Sequence, residues 1–162
     1  MQISESIFVS TGEVVVAEND TILESSPLGS CIAVCIIDQA ASVGGMAHIM
    51  LPGKSPYHEV PNKYRYAADA LEELITKVQV IGGNIARMKT CIIGGANVLK
   101  REQDTIHIDN LKSIKNLLSL MRLDIAESST GGFERRTARM DIATGSIFVT
   151  IGNQPEQTLL DY

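Results

Sequence analysis

Along the chain, short apolar runs of strand length alternate with two longer stretches of helical period. Residues 13–17 and 21–25 are rich in β-branched side chains and flank Glu18-Asn19-Asp20, a turn-forming set, which predicts a hairpin. Residues 31–38 form an unbroken apolar run, and after a polar break at 39–42 a second run covers 43–50. Two buried strands fit these runs, although a one-turn helix at the start of the first has the same signature and leaves the setting of Cys31 open.

Between residues 63 and 80 the apolar positions Ala67, Leu71, Leu74, Ile75 and Val78 recur at helical spacing, with Asp69, Glu72, Glu73 and Lys77 on the other faces. Asn62 is the expected N-cap, and Gly82-Gly83 the stop, through left-handed conformations that glycine adopts cheaply. Residues 88–93 read as another buried strand. Asp109 is the expected cap of a second helix with the stripe Leu111, Ile114, Leu118 and Met121. Residues 123–128 follow as a strand, Thr130-Gly131-Gly132 as a turn, and the alternation Ala138, Met140, Ile142 and Ile147, Val149, Ile151 around residues 143–145 as a terminal hairpin. Strands outnumber helices and several connections are hairpins. The expected fold is therefore a single α/β sandwich domain spanning 1–162, with mixed or antiparallel sheets and two main outer helices.

Composition narrows the function classes. Apolar residues make up 44% and charged residues 20% of 162, as in an ordinary soluble domain. The formal charge of -5, with Arg135-Arg136 the longest basic cluster, gives no footprint for nucleic acid. The amino terminus, with Glu5, Glu13 and Glu18 in a broken apolar pattern, fits neither a signal peptide nor a spanning helix, so a cytoplasmic setting without membrane insertion is expected.

Three cysteines without a C-x-x-C pair argue against a disulfide framework or a structural zinc site. Cys35 and Cys91 are flanked by isoleucine and valine and read as core. Cys31 follows Pro27-Leu28-Gly29-Ser30, a turning segment that would keep a thiol accessible; backbone N–H groups around 29–31 would lower its pKa and hold an oxyanion. A packed structural cysteine is the other reading of the same spacing. His48 stands inside an apolar strand, where an imidazole needs a partner. Antiparallel pairing of the two runs would bring it to the thiol, while a satisfied core histidine is the alternative. His58 lies beside proline and tyrosine in a loop and His107 in a polar stretch, and neither compels a role. Gly94-Gly95-Ala96-Asn97 lacks a phosphate-binding pattern and reads first as a structural turn.

Leu28-Gly29-Ser30-Cys31, the apolar strand ending in Asp38, Gly44-Gly45-Met46-Ala47-His48-Ile49-Met50-Leu51-Pro52, and Ile93-Gly94-Gly95-Ala96-Asn97 together resemble the chemoreceptor glutamine deamidase family of bacterial chemotaxis, CheD. Ser129-Thr130-Gly131-Gly132, the arginine-rich stretch 134–139 and residues 144–149 extend the resemblance over most of the chain. The resemblance implies an α/β sandwich that hydrolyses selected receptor glutamines to glutamate, with a related ability toward glutamate methyl esters. Cys31 is then the nucleophile, His48 the general base, and the hydroxyl six positions before the cysteine, Ser25, the third member. The family commonly has threonine there, and Ser26 stands adjacent. Residues 106–110 depart from the family's usual glycine- and arginine-containing stretch.

Receptor cytoplasmic helices are the implied substrate and a phosphatase of the CheC type the implied partner, with no metal or organic cofactor required. In the expected chemistry a thioester forms on Cys31 and water, activated by His48, hydrolyses it. Competing classes are a non-catalytic adaptor that binds a receptor or a CheC-type phosphatase, and a thiol protease or transglutaminase.

Overall fold

The computed structural model describes residues 4–60 and 62–162. The apolar run that begins beside Cys31 becomes β4 (Ile32–Asp38), buried along its whole length. Its side chains alternate between two cores. Ala33, Cys35 and Ile37 face a second sheet, while Ile32, Val34 and Ile36 face the helices. Such two-sided burial is why the run is continuously apolar rather than alternating. β4 pairs antiparallel with β5 (Val43–Ile49) on one side and with β6 (Lys89–Gly94) on the other. β2 (Val14–Glu18) and β7 (Ile125–Thr130) complete this sheet in the order β2-β5-β4-β6-β7, with β6 and β7 parallel.

The second sheet runs β1-β3-β8-β9-β10, from β1 (Glu5–Val9), β3 (Thr21–Ser25), β8 (Arg136–Asp141), β9 (Ser146–Ile151) and β10 (Gln157–Leu160). The expected terminal hairpin is β8–β9, paired in register from Arg136↔Ile151 to Asp141↔Ser146. Between the sheets lie Val9, Leu23, Leu28, Met140 and Ile147. Both helices, α1 (Ala67–Val80) and α2 (Ile106–Leu120), cover the outer face of the β4 sheet through Leu71, Leu74, Val78, Ile114 and Leu118. The result is a single α/β domain of two mixed sheets with helices on one side. Gly45 permits the close approach of α1, since a Cβ there would lie 2.7 Å from Leu74 Cδ1.

Three local expectations are corrected. Residues 13–17 and 21–25 do not pair as a hairpin, because β2 pairs with β5 and β3 with β1 and β8. The turn between them is divided between the sheets: Asn19 N–H, at φ 58°, donates to Ser42 C=O beside β5, and Asp20 C=O accepts from Glu5 N–H at the start of β1. Asn62 does not cap α1. It precedes a short 3-10 turn, and Tyr66, extended and bridged to Leu51, occupies the N-cap position. Asp109 sits inside α2, which begins at Ile106, and accepts from Thr105 Oγ1 at 2.9 Å. The stop of α1 holds, with Gly82 alone in a left-handed conformation. Among the described residues no helix is long and apolar enough to cross a membrane.

Candidate active site

The segment before β4 is fixed by its own carbonyls. Leu28 exchanges two backbone hydrogen bonds with Arg136, at 2.7 and 3.1 Å, which anchors the turn on the opposite sheet. Three successive carbonyls then accept from three different places: Gly29 from Ala96 N–H at 2.9 Å, Ser30 from Asn110 Nδ2 at 3.0 Å, and Cys31 from Gly95 N–H at 3.0 Å. Gly94-Gly95-Ala96-Asn97 is thus a structural clamp on this loop. Gly94, at φ 120°, has to be glycine because a Cβ would run into the Cys31 carbonyl. Asn97 N–H donates to Gly132 C=O, and the Arg136 guanidinium donates to Ser129 Oγ and Gly131 C=O, so the later motif closes on the same place.

Cys31 lies just outside β4, half-buried, and in no helical turn. It lines a cleft of about 340 Å³ together with Pro27, Ser30, Asn97, His107 and Arg135. Its side chain packs on the inter-sheet core, the face that carries Ala33, and Ala33 is the register partner of His48. Cys31 thus stands two residues before the register partner of His48, diagonal to it by position just beyond the end of the ladder, and the described hydrogen bonds include none between thiol and imidazole. Cys35 and Cys91 are register partners deep in the sheet, both fully buried. Burial pushes the Cys91 thiol up to about 12 and that of Cys35 well above the ordinary range.

His48 is fully buried, and its polar atoms are satisfied locally. Nδ1 lies 3.3 Å from Val9 C=O and 3.2 Å from Ser26 Oγ, and Nε2 lies 3.4 Å from Thr11 Oγ1. A carbonyl can only accept, so the proton belongs on Nδ1 and the lone pair on Nε2. Burial pushes the imidazole below the ordinary histidine range, against the opposing pull of Val9 C=O and the Glu13 carboxylate. Burial also raises the Cys31 thiol, the reverse of the lowering expected from free amides. Both shifts favour the neutral forms, a protonated thiol and an unprotonated imidazole.

Of the serines that end β3, the structure brings Ser26 to the imidazole. Ser25 is buried, and its Oγ accepts from Ala138 N–H at 2.9 Å on β8. Two contributors went unread in the sequence. Thr11, thirty-seven positions from His48, has no local signal. Asn110 does have one, a polar residue in register with Ile114 and Leu118 on the apolar face of α2. His107 reaches the cleft and His58 is exposed away from it. Among the described residues no cluster of side chains suits a metal ion.

Residues 50–151 match the family model for CheD chemotactic sensory transduction. The chain is 54% identical over 152 residues to a probable chemoreceptor glutamine deamidase CheD of Chlorobium luteolum, covering 94% of this chain and 76% of that protein. It is 32% identical over 141 residues to the chemoreceptor glutamine deamidase CheD of Thermotoga maritima, covering 87% and 88%. A probable chemoreceptor glutamine deamidase CheD of Methanococcus maripaludis is 32% identical over 148 residues, covering 90% and 95%. Similarity to these proteins runs nearly end to end, and the chain belongs to the CheD family.

Proposed function

We propose that this chain is a cytoplasmic chemoreceptor glutamine deamidase, with Cys31 as nucleophile and His48 as general base. The observation that carries the reading is the placement of a half-buried thiol at the wall of a cleft, two residues before the register partner of a buried imidazole whose Nε2 carries the lone pair, 3.4 Å from Thr11 Oγ1. His48 takes the thiol proton as the sulfur attacks the side-chain carbonyl carbon of glutamine. Backbone N–H groups at 29–31 hold the oxyanion. The C–N bond then breaks and ammonia leaves with the proton returned by His48, which creates a γ-glutamyl thioester. His48 next deprotonates water, whose attack releases glutamate and the thiol.

A hydroxyl at the end of β3 keeps the imidazolium oriented as it forms. The family resemblance nominates Ser25 for this role, and the 3.2 Å contact with Nδ1 supports Ser26. The domain acts as one unit over residues 1–162, and a CheC-type phosphatase is a partner. The same thiol chemistry extends to glutamate methyl esters, whose leaving group is methanol.

The test is intact mass spectrometry of a receptor cytoplasmic fragment incubated with the protein. Hydrolysis at a side-chain amide adds about one dalton per site and releases ammonia without chain cleavage. Binding with no mass change would replace the enzyme by an adaptor, and shortened fragments would replace it by a protease.

A further inference from the structure

We infer that Asn110 is a positioning residue that sets the spacing between thiol and imidazole, an inference that rests on the pairing of Cys31 with His48 proposed above. Asn110 lies in the second turn of α2, on the helix layer, and is fully buried. Its Nδ2 donates both hydrogens to backbone carbonyls of two different segments: Ser30, immediately before the nucleophile, at 3.0 Å, and Met50, two residues beyond His48, at 2.9 Å. One side chain therefore ties the entry of β4 to the exit of β5 at the end of the sheet where thiol and imidazole sit. There the β4–β5 ladder has ended, its last pair being Ile32↔Ile49. Without the amide bridge, Ser30 and Met50 have no common partner among the described hydrogen bonds.

The amide orientation is forced. Turned over, its oxygen would face two carbonyls, a repulsive arrangement. In the orientation that satisfies both carbonyls, Oδ1 is buried with no partner among the described residues. An acceptor left bare in the interior costs about 1–3 kcal/mol, so a helix selected for stability alone would carry an apolar residue here, in line with Ile114 and Leu118. The two donors have to be worth that cost, and they converge on the segments that hold the reacting groups. A misplacement of about 1 Å between reacting groups can reduce turnover roughly a hundredfold.

The test compares Asn110→Ala with Ser113→Ala in the full chain. Ser113, one turn on, accepts from Gly53 N–H at 2.9 Å and ties α2 to the loop after β5 without reaching the nucleophile segment. Two readouts are taken on folded protein: kcat and KM for receptor-fragment deamidation, and the pH profile of Cys31 alkylation by iodoacetamide, followed by peptide mass. Asn110→Ala is expected to lower kcat at least about tenfold with KM within about twofold. It should also move the alkylation midpoint down toward that of the urea-unfolded chain, because the released Ser30 carbonyl lets water reach the thiol. Ser113→Ala should leave both unchanged. Wild-type kcat together with a wild-type alkylation profile in folded Asn110→Ala would overturn the inference. If Asn110→Ala does not fold, Asn110→Ser, which keeps one donor, takes its place; failure of both to fold would make the residue structural and end the proposal. Should wild-type protein deamidate nothing, the functional reading falls while the alkylation arm still decides whether Asn110 governs the thiol.

Discussion

Buried polar groups gather at both ends of β4, and they are treated in opposite ways. At the far end, Asp38 is fully buried and satisfied four times over. Arg87 donates through Nε and Nη2 at 3.1 and 3.0 Å, Asn84 N–H at 2.8 Å and Ala41 N–H at 3.4 Å. Burial alone would push that carboxyl up, but the guanidinium and the two amides outweigh it and hold the group below its usual range. At the near end no charged group hydrogen-bonds the ring, and the pull of the Glu13 carboxylate does not outweigh burial. Burial raises the Cys31 thiol and lowers the His48 imidazole, the contacts to the ring run from 3.2 to 3.4 Å, and Asn110 Oδ1 has no partner among the described residues. The Asp38 end is held by charge-assisted bonds, whereas the Cys31 end holds neutral groups joined by longer, uncharged contacts.

The sharpest way to break this contrast is to exchange the consequences of mutation at the two ends. Cys31→Ala should abolish deamidation, with no measurable turnover in the receptor-fragment assay, while its urea midpoint stays close to wild type because the side chain is small and only half-buried. Retained turnover would sink the nucleophile assignment. Asp38→Ala should do the reverse. The Asn84 and Ala41 amides lose their acceptor, a loss on the order of 2 kcal/mol read from chemical denaturation, with kcat per folded molecule unchanged. A drop in kcat in folded Asp38→Ala would show that the ends are coupled through the strand.

A smaller effect separates the two serines. Ser26→Ala should lower kcat about tenfold with KM little changed, a part of the roughly 10²–10⁴ that a positioned base contributes. Ser25→Ala should instead lower stability, because Ala138 N–H would be buried without its acceptor. Kinetics and urea melts on the same two variants read both. If Ser25→Ala carries the kcat loss and Ser26→Ala is silent, the imidazole is oriented from the other serine.

What could be read from the sequence followed from locality. β4, β5 and the β8–β9 hairpin announce themselves because adjacent residues carry the whole signal, and Cys31 and His48 stand out against apolar strands. β1 and β10 gave no such signal. They are edge strands with mostly exposed residues, so their existence depends on the partners β3 and β9 rather than on their own pattern. The turn at 18–20 has hairpin chemistry, but its backbone groups are claimed by different sheets, which composition does not record. The serine at the imidazole is ambiguous for a related reason. β3 ends at Ser25, so the alternation of faces that would rank the two residues stops between them, and Ser26 is placed by its own N–H donating to Val9 C=O at 3.2 Å. Thr11 and Asn110 act from distant segments, and only the second leaves a local trace.

The smallest effect sharpens the electrostatic half of the comparison. If burial without a charged partner sets both groups at the Cys31 end, the folded thiol must ionise above the ordinary cysteine range of about 8.5 and the imidazole below about 6.5. The signs then follow. A raised thiol means that at pH 7.5 folded Cys31 is less thiolate than the same residue in urea, so iodoacetamide labels it more slowly, with a midpoint displaced upward. A lowered imidazole means that His48 is still neutral, and still a base, as pH falls through 6.5, so the acid limb of kcat/KM for deamidation lies below that value. Peptide mapping of the alkylated thiol between pH 6 and 10, with the urea-unfolded chain alongside, reads the first; deamidation rates between pH 5 and 8 read the second. A midpoint below 8.5 together with an acid limb above 6.5 would mean a resting thiolate–imidazolium ion pair, and the near end of β4 would then be compensated by charge as the Asp38 end is.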